Sequence, residues 1–281
     1  MADSEVVSQG LHVITTMLQG VVESPRREAE LLMMAFLECD QLFLISHPND
    51  EIKNFEKLIA WSERRKKNEP LEYITNRVSF YSEIFHIEAG ALIPRPETEL
   101  LIDEVLKCVD SDTKGCIVEV GVGSGVISII LAKHLKQARF IAVDISEDAL
   151  HVTGKNLERF GLSDRIELRQ SDLLDNVPEA IDLLVSNPPY IANEAPLEPN
   201  LSYEPQNALF GGYLGDELIK ELCDLTCKRE IGIFVCEMGY DQREKVSAYL
   251  KNRDSVSVEF YKDYANFDRG FTMKLGEKFE K

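Results

Sequence analysis

Residues 116–130 read CIVEVGVGSGVISII, and this stretch indicates the fold of the chain more clearly than any other. The first five residues, apolar except for Glu119, are typical of a buried β-strand, and the last five begin a mostly apolar helix. Between them, Gly121, Gly123 and Gly125 permit a tight turn with positive φ and close approach of a ligand. The helix that follows presents backbone N–H groups at its N-terminus. The spacing Gly-x-Gly-x-Gly differs from the Gly-x-Gly-x-x-Gly of pyrophosphate-binding turns. The stretch therefore predicts a strand–turn–helix unit that binds a ligand through its backbone.

The same alternation of strand and helix continues on both sides of this unit. The predicted strands are Cys116–Val120, Arg139–Val143, Ile166–Gln170, Ile181–Ser186 and Ile231–Glu237. The predicted helices are Thr98–Val109, Val126–Leu135, Glu147–Phe160 and Asp216–Cys227. Regular alternation of this kind is typical of an α/β protein with a doubly wound, mostly parallel sheet. Such sheets bind ligands at the carboxyl ends of their strands.

The N-terminal part of the chain has a different pattern. Apolar residues recur at helical spacing in Glu5–Gln19 and Glu51–Lys67, and Ser24-Pro25 gives an N-cap followed by proline at the first position of another helix. Short β-like runs follow at Tyr73-Ile74, Val78–Tyr81 and Ile84–Ile87. A chain of 281 residues is long enough for two domains. We therefore expect a helical recognition domain at residues 1–70, a β-hairpin linker at 71–92 and an α/β domain at 93–281.

Charge and hydropathy bear on the partners. The net charge is −18, whereas proteins that bind nucleic acid through phosphates need a basic face. The one basic cluster, residues 64–67, lies at the end of a predicted helix, where cations complement the helix dipole. No apolar run approaches the ~18–20 residues that span a bilayer. The acidic residues 1–5 also differ from the basic start of a secretory signal. We expect a cytoplasmic protein that acts on neither nucleic acid nor membranes.

The cysteines favour the same compartment. Six of them are spread over a long chain, a pattern more typical of reduced thiols than of a disulfide framework. Cys223 and Cys227 lie one helical turn apart, but no second pair follows at the spacing of a zinc site. We interpret this pair as part of a packed helix and expect no metal.

Polar residues at the ends of the second and third strands suggest what the glycine turn binds. Asp144 follows the second strand, where a carboxylate can accept hydrogen bonds from both hydroxyls of a ribose. The third strand leads to Asp172 and Leu173, at the edge where an adenine ring would lie. An ordinary helix N-cap is the alternative interpretation of Asp144.

The fourth strand leads into Asn187-Pro188-Pro189-Tyr190, which predicts a second binding function. Prolines fix the backbone and remove N–H donors, so carbonyl oxygens are left facing the cleft. The Asn187 side-chain oxygen and the Pro188 carbonyl can each accept one hydrogen of a planar –NH₂ group, and Tyr190 offers a ring face to stack on it. An amide nitrogen is a weak nucleophile because its lone pair is delocalised. Two acceptors that orient it can contribute up to about 7–11 kcal/mol without a strong base.

With these motifs in place, the sequence resembles the release-factor glutamine methyltransferases of the HemK/PrmC type, which are class I S-adenosylmethionine-dependent enzymes. The resemblance covers nearly the whole chain. Residues 92–99, LIPRPETE, match that family's own signature. Other similar segments are Tyr203-Glu204-Pro205, Ala208-Leu209, Gly211-Gly212, Glu237–Gln242 and Asp268-Arg269.

The resemblance implies an N-terminal helical domain that recognises the release factor and a class I methyltransferase (Rossmann-like) domain. It implies methyl transfer from S-adenosyl-L-methionine to the side-chain nitrogen N5 of the glutamine in a Gly-Gly-Gln motif. The implied cofactor-binding residues are Gly121, Val122, Gly123, Ser124, Gly125, Asp144, Asp172, Leu173 and Asn187. The implied substrate-binding residues are Asn187, Pro188, Pro189 and Tyr190, of which Asn187, Pro188 and Tyr190 are the catalytic ones. Three positions depart from the family pattern: Glu72, where glutamine is usual, Asn76, where glycine is common, and Glu119, where aspartate is frequent.

Other functions fit parts of this pattern. The Asn-Pro-Pro-Tyr motif grips any planar –NH₂, so a glutamine of a ribosomal protein or the N6 of DNA adenine is an alternative acceptor. A DNA adenine methyltransferase would need a basic target-recognition domain, which the net charge of −18 disfavours. From another class, the chain could be a non-catalytic module that binds translation factors, although both intact motifs favour an enzyme.

Overall fold

The computed structural model describes residues 5–251, 253 and 255–276. The acidic start of the chain at residues 1–4 and the end of the expected α/β domain at 277–281 lie outside the described residues. The chain forms two compact units. The first comprises residues 1–77 together with 198–203, and the second comprises residues 78–197 together with 204–281. The boundaries at residues 70 and 92 remain predictions.

The first unit is built from short helices around an apolar core. Its elements are β1 (Glu5–Val6), α1 (Val7–Leu18), α2 (Pro25–Leu37), α3 (Gln41–Ser46), β2 (Glu51–Ile52), α4 (Phe55–Lys66) and α5 (Leu71–Thr75). Two predicted helices begin later than expected, because β1 and β2 pair as antiparallel strands ahead of α1 and α4. Ile14, Leu32 and Leu58 are fully buried in the core, which explains the helical spacing of apolar residues.

The β structure predicted at Tyr73-Ile74 is wrong. Both residues lie in α5, and both side chains are buried. Asn76 ends this helix in the left-handed conformation, with φ of 55°. Asparagine is one of the few residues other than glycine that takes up this conformation readily, so it closes the helix where the sequence pattern alone indicated a strand.

The second unit alternates strands and helices. Its elements, with Arg77 of β3 still in the first unit, are β3 (Arg77–Phe80), β4 (Glu83–His86), α6 (Thr98–Cys108), β5 (Cys116–Val120), α7 (Val126–His134), β6 (Arg139–Asp144), α8 (Glu147–Phe160), β7 (Ile166–Gln170), β8 (Leu183–Ser186), β9 (Ile191–Ala192), β10 (Phe210–Gly212), α9 (Glu217–Lys228), β11 (Ile233–Glu237), α10 (Arg243–Leu250), β12 (Val256–Lys262) and β13 (Asp268–Leu275). All five strands and all four helices predicted for this part of the chain are present, with ends shifted by at most two residues. Such shifts are ordinary for element ends.

Within the described residues, seven strands form one sheet in the order β12-β13-β11-β8-β5-β6-β7. The five strands from β11 to β7 are parallel, and β12 and β13 extend the sheet with antiparallel pairing. The chain runs outward from β5 to β7 and then returns to place β8 on the other side of β5. Open α/β sheets bind ligands at such a reversal of strand order. The turns after β5 and β8 therefore lie at the expected binding edge.

The two predicted hairpin strands, β3 and β4, pair with each other. Tyr81 and Ser82 join them with φ of 50° and 61°, as a two-residue type I′ turn requires. Asn156 of α8 anchors the hairpin. Its side-chain oxygen accepts from His86 N–H at 2.8 Å, and its –NH₂ donates to the carbonyls of His86 and Ser124 at 2.9 and 2.8 Å. This buried amide ties the hairpin to the glycine turn.

The parallel sheet is buried on both faces. Val118, Ile141, Leu184 and Phe234, from β5, β6, β8 and β11, have no exposed side-chain surface. This burial explains why the strands are continuous apolar runs instead of alternating ones. In the part of the chain that the structure describes, no helix has the length and apolar character needed to cross a membrane.

Candidate active site

The glycine turn after β5 has the backbone conformation that its sequence predicts. Gly121, Gly123 and Gly125 have φ of 76°, 56° and 83°, a region that residues with a Cβ rarely occupy. A Cβ on Gly125 would also lie 2.8 Å from Cγ2 of Thr153 in α8. No atom lies within 4 Å of a Cβ built on Gly123, so this position faces open space. The turn therefore exposes backbone at the start of α7.

Asp144 lies at the end of β6 with its carboxylate held by the backbone. Its Oδ2 accepts from Gly123 N–H at 3.0 Å, and its Oδ1 accepts from Ser146 N–H at 2.9 Å. The side chain of Ser146, not that of Asp144, caps α8 by accepting from Ala149 N–H. The helix-cap interpretation of Asp144 is therefore excluded. Burial raises the pKa of the Asp144 carboxyl, and the backbone hydrogen bonds act against that shift.

Glu119 of β5 provides a second carboxylate. Its Oε2 accepts from the backbone N–H of Ser128 at 2.9 Å and from the Ser128 hydroxyl. Among the described residues, no group bonds to its buried Oε1. Burial raises the pKa of Glu119 to about 8. An unpartnered carboxylate oxygen beside an open glycine turn fits a ligand that carries a cationic amino group.

These residues line one cavity of about 340 Å³ at the carboxyl edge of the sheet. The sequence-predicted residues in its lining are Gly121, Val122, Gly123, Ser124, Asp144, Asp172, Leu173, Asn187, Pro188 and Pro189. Gly125 and Tyr190 are not in the lining: Gly125 is the N-cap of α7, and the Tyr190 hydroxyl lies 3.4 Å from Glu237. S-adenosylmethionine carries an amino acid and a nucleoside, and this lining fits both parts. The glycine backbone and the unpartnered Oε1 of Glu119 fit the amino acid, and Asp144 fits the ribose.

Asn187 brings the acceptor motif to the same cavity. Its Nδ2 donates to Thr98 Oγ1 at 3.0 Å, and the Thr98 hydroxyl donates to Glu237 Oε2 at 2.7 Å. In the part of the chain that the structure describes, no donor bonds to the Asn187 side-chain oxygen. The Asn187 amide therefore presents its acceptor side and keeps its donor side against the protein.

The backbone that follows Asn187 is held by close contacts with two glycines and a glutamine. A Cβ on Gly211 would lie 2.2 Å from the Pro189 carbonyl oxygen, and one on Gly215 would lie 2.4 Å from that of Tyr190. Gln242 Nε2 donates to the carbonyls of Tyr190 and Gly215 at 3.1 and 3.0 Å. These contacts leave little freedom for the carbonyls of the motif.

The segment at residues 92–99 forms another wall of the cavity. Glu204 is buried and holds this segment with both oxygens: Oε2 accepts from Ile93 N–H at 3.0 Å, and Oε1 accepts from Arg95 Nη2 at 2.5 Å. Thr98 at the start of α6 then reaches Asn187. The signature segment thus supplies a hydrogen-bond partner to the acceptor motif.

Sequence reasoning missed the roles of Thr98, Glu237 and Gln242. One signal was available for Glu237, since a carboxylate at the end of an otherwise apolar strand is costly to bury without a purpose. Burial raises its pKa to about 7. Thr98 lies in the signature segment 92–99 and Gln242 in the similar segment 237–242, but neither segment indicated what these two side chains contact.

Comparison with known proteins identifies the family. The model of the methyltransferase small domain matches residues 97–201, and that of the PrmC N-terminal domain matches residues 9–75. A release factor glutamine methyltransferase of Dictyoglomus turgidum is 38% identical over 257 residues, which cover 88% of this chain and 90% of that protein. The enzyme of the same name from Clostridium acetobutylicum is 34% identical over 252 residues, covering 86% and 88%.

Solved structures share the fold. The N-terminal domain of human METTL16 in complex with SAH superposes with a TM-score of 0.52 at 15% identity, covering 89% of this chain and 94% of that one. The METTL16 catalytic domain in complex with a MAT2A 3′UTR hairpin gives a TM-score of 0.54 at 15% identity, covering 83% and 87%. The sheet is thus that of a class I methyltransferase, and the two relatives match over most of their length. The chain belongs to the family of release factor glutamine methyltransferases.

Proposed function

We propose that this protein transfers a methyl group from S-adenosyl-L-methionine to the side-chain nitrogen N5 of the glutamine in the Gly-Gly-Gln motif of peptide chain release factors. The observation that carries the proposal is the polarity of Asn187: its Nδ2 is engaged by Thr98 and its oxygen is left to accept. A glutamine –NH₂ offers two hydrogens, which match the Asn187 oxygen and the Pro188 carbonyl. The names of the relatives support the same substrate.

In this proposal each group of cofactor-binding residues contacts a different part of S-adenosyl-L-methionine. The turn Gly121–Gly125 accommodates the methionine part, and the free Oε1 of Glu119 accepts from its ammonium group. Asp144 accepts from the ribose hydroxyls, and Asp172 with Leu173 flanks the adenine. Asn187 closes the site between cofactor and substrate. When bound, the cofactor supplies an electrophilic methyl group on a sulfonium.

The residues of the acceptor motif orient the nitrogen. Asn187 Oδ1 and Pro188 O hold its two hydrogens, which favours a more tetrahedral nitrogen whose lone pair faces the methyl group. Pro189 and the contact with Gly211 fix the backbone, and the Tyr190 ring provides the surface beside the amide. Orientation of this kind contributes up to about 7–11 kcal/mol in well-oriented cases. As the new N–C bond forms, the nitrogen becomes strongly acidic and releases one of its hydrogens as a proton to solvent, so a strong base is not needed.

The helical first unit is proposed as the part that recognises the release factor, supported by its match to the PrmC N-terminal domain. The net charge of −18 favours a protein substrate over nucleic acid or an anionic membrane. A cytoplasmic protein working beside the translation machinery is consistent with this proposal.

The test is mass spectrometry of a purified release factor, a Gly-Gly-Gln peptide, ribosomal proteins and DNA, each incubated with enzyme and isotope-labelled cofactor. We expect one labelled methyl group on the glutamine, and none on a Gly-Gly-Ala control. Label on a ribosomal protein but not on any release factor would replace this substrate with the alternative one. Labelled adenine in DNA would overturn a protein substrate altogether.

A further inference from the structure

Three side chains from distant parts of the chain form a line of hydrogen bonds behind the acceptor motif. Asn187 Nδ2 lies 3.0 Å from Thr98 Oγ1, and Thr98 Oγ1 lies 2.7 Å from Glu237 Oε2. Thr98 is 3% exposed and Glu237 is 1% exposed, so water does not compete for these bonds. The line joins α6, the turn after β8 and the end of β11.

The direction of these bonds depends on a single hydrogen. The Thr98 hydroxyl has one hydrogen to donate and lone pairs with which to accept. When Glu237 is ionised it only accepts, so Thr98 donates to it and accepts from Asn187 Nδ2. The Asn187 oxygen is then turned toward the cavity, where it meets the –NH₂ of the substrate.

Protonation of Glu237 removes this constraint. A protonated carboxyl donates to Thr98, and the hydroxyl hydrogen of Thr98 is released to point at Asn187. The Asn187 amide then turns over so that its oxygen accepts from Thr98, and its own –NH₂ faces the –NH₂ of the glutamine. Two donors that face each other cannot bond, and the nitrogen loses its orientation.

We propose that Glu237 and Thr98 are positioning residues that set the polarity of the Asn187 amide, and that methyl transfer requires Glu237 in its ionised form. The inference rests on the proposed function for its effect on rate. The hydrogen bonds that join Glu237, Thr98 and Asn187, called the relay below, do not depend on that function.

Other groups around Glu237 set the pH range of this effect. The Arg269 guanidinium, from β13, favours the ionised form, although it also pairs with Asp263 at 2.8 Å. The Tyr190 hydroxyl, 3.4 Å from Oε1, favours the ionised form too, and Glu97 disfavours it. Tyr261 of β12 and the neighbouring Cys236 are buried, and burial raises the pKa of both groups, with a further contribution from the charge of Glu237. Burial of Glu237 outweighs the favourable contacts and raises its pKa to about 7. The relay therefore switches near neutral pH.

The kinetic test is single-turnover methylation of the Gly-Gly-Gln peptide at saturating cofactor between about pH 5.5 and 8.5. We expect the wild-type rate to fall as the pH drops through about 7, as protonation of one group requires. Thr98→Val keeps the shape of the side chain but removes the hydroxyl, and it should lower the rate by about 10-fold or more with little change in KM. Thr98→Ser restores the hydroxyl and should recover most of the rate. Glu237→Gln cannot titrate and should lose the acidic limb of the profile.

A matched control is Thr226→Val. Thr226 is as buried as Thr98, but its hydroxyl donates to the Leu222 carbonyl within α9. We expect a wild-type rate and pH profile for this variant. An acidic limb that persists in Glu237→Gln, or equal rates for Thr98→Val and Thr98→Ser, would overturn the relay.

A second measurement separates the relay from the proposed substrate. The Glu237 carboxyl carbon can be followed by NMR as a function of pH in the wild type and in both Thr98 variants. Because the Thr98 hydroxyl donates to the ionised carboxylate, Thr98→Val should raise the pKa of Glu237 and Thr98→Ser should not. An unchanged pKa in Thr98→Val contradicts the relay, whatever the activity. A raised pKa in an enzyme that methylates no Gly-Gly-Gln substrate would support the relay and refute the proposed function.

Discussion

Polar side chains around the cavity have partners that fix their orientation before any ligand binds. Asp144 is held by the backbone N–H groups of Gly123 and Ser146, and Asn187 is held by the Thr98 hydroxyl. A group that is already oriented loses less conformational entropy on binding and in the transition state. Two predictions belong to this scale.

Asn187→Ala removes the acceptor that orients the substrate nitrogen. Because this orientation matters most in the transition state, kcat should fall by about 100-fold or more while KM changes much less. Asn187→Asp keeps one acceptor oxygen but cannot donate to Thr98, so it should retain more activity than Asn187→Ala only if the acceptor role dominates. Tyr190→Phe keeps the ring and should have a mild effect. Single-turnover assays measure all three, and near-wild-type turnover in Asn187→Ala would refute the mechanism.

Asp144→Ala should weaken binding of the cofactor by about 2–3 kcal/mol, the scale of hydrogen bonds to a charged group. Part of this loss arises because the backbone N–H groups of Gly123 and Ser146 lose their acceptor. Asp144→Asn keeps an oxygen for one of them and should bind more tightly than the alanine variant. Isothermal titration calorimetry with S-adenosyl-L-methionine measures both. Equal affinity in the wild type and Asp144→Ala would falsify the ribose assignment.

At the scale of elements, the position of the acceptor motif depends on the approach of β10 and the segment after it. The Gly211 backbone packs against the Pro189 carbonyl, and that of Gly215 packs against Tyr190. Both contacts are too close for any side chain. The motif is therefore shaped by neighbouring backbone as well as by its own prolines.

Gly211→Ala is the matching prediction. Its Cβ would lie 2.2 Å from the Pro189 carbonyl oxygen, so the motif must shift. We expect kcat to fall by about 10-fold or more, because small displacements of orienting groups are costly, while affinity for the cofactor stays within about 3-fold. Gly154→Ala in α8 is the control, because its Cβ would have no atom within 4 Å. If both variants have wild-type kcat, the contact does not position the motif.

For the molecule as a whole, we propose that the first unit recognises the release factor while the second unit carries out the chemistry. The residues that line the cavity come from the second unit. Deletion of residues 1–70 should therefore leave affinity for the cofactor nearly intact and retain methylation of a Gly-Gly-Gln peptide. Turnover on the full-length release factor should fall sharply. Circular dichroism first establishes that the truncated protein is folded. Full activity of the folded truncation on the release factor would exclude recognition by the first unit.

Two buried carboxyls make the stability of the whole protein depend on pH. The pKa values of Glu119 and Glu237 are raised from 4.5 to about 8 and about 7. Between pH 4.5 and these raised pKa values, the carboxyls stay protonated in the native state but ionise in the unfolded state. The native state therefore binds more protons, and the free energy of unfolding decreases as the pH rises. The Tm of the protein without cofactor should fall between about pH 6 and pH 8.

Glu119→Gln should make this fall smaller, because the glutamine cannot ionise. Glu158→Gln, on an exposed part of α8, removes the same charge and should leave the fall unchanged. Scanning calorimetry at several pH values measures the three slopes. Equal slopes for the wild type and Glu119→Gln would show that burial of this carboxyl does not cause the effect.

Several features of this protein were determined by the sequence alone. Apolar runs and helical spacing predicted the five parallel strands and the helices between them, because burial on both faces of a sheet demands such runs. The glycines after β5 and the prolines after β8 impose their backbone conformations locally. The two turns could therefore be predicted as binding segments without knowledge of the fold.

The tertiary structure decided which side chains meet. Thr98 lies 89 residues from Asn187 and 139 residues from Glu237, and only the adjacency of α6, β8 and β11 joins them. The helix at Leu71–Thr75 and the antiparallel pair β12 and β13 also escaped prediction. In these cases burial and strand pairing outweighed local patterns. Local patterns reflect the backbone period of each segment, whereas hydrogen bonds between distant segments depend on strand order, which no single segment encodes.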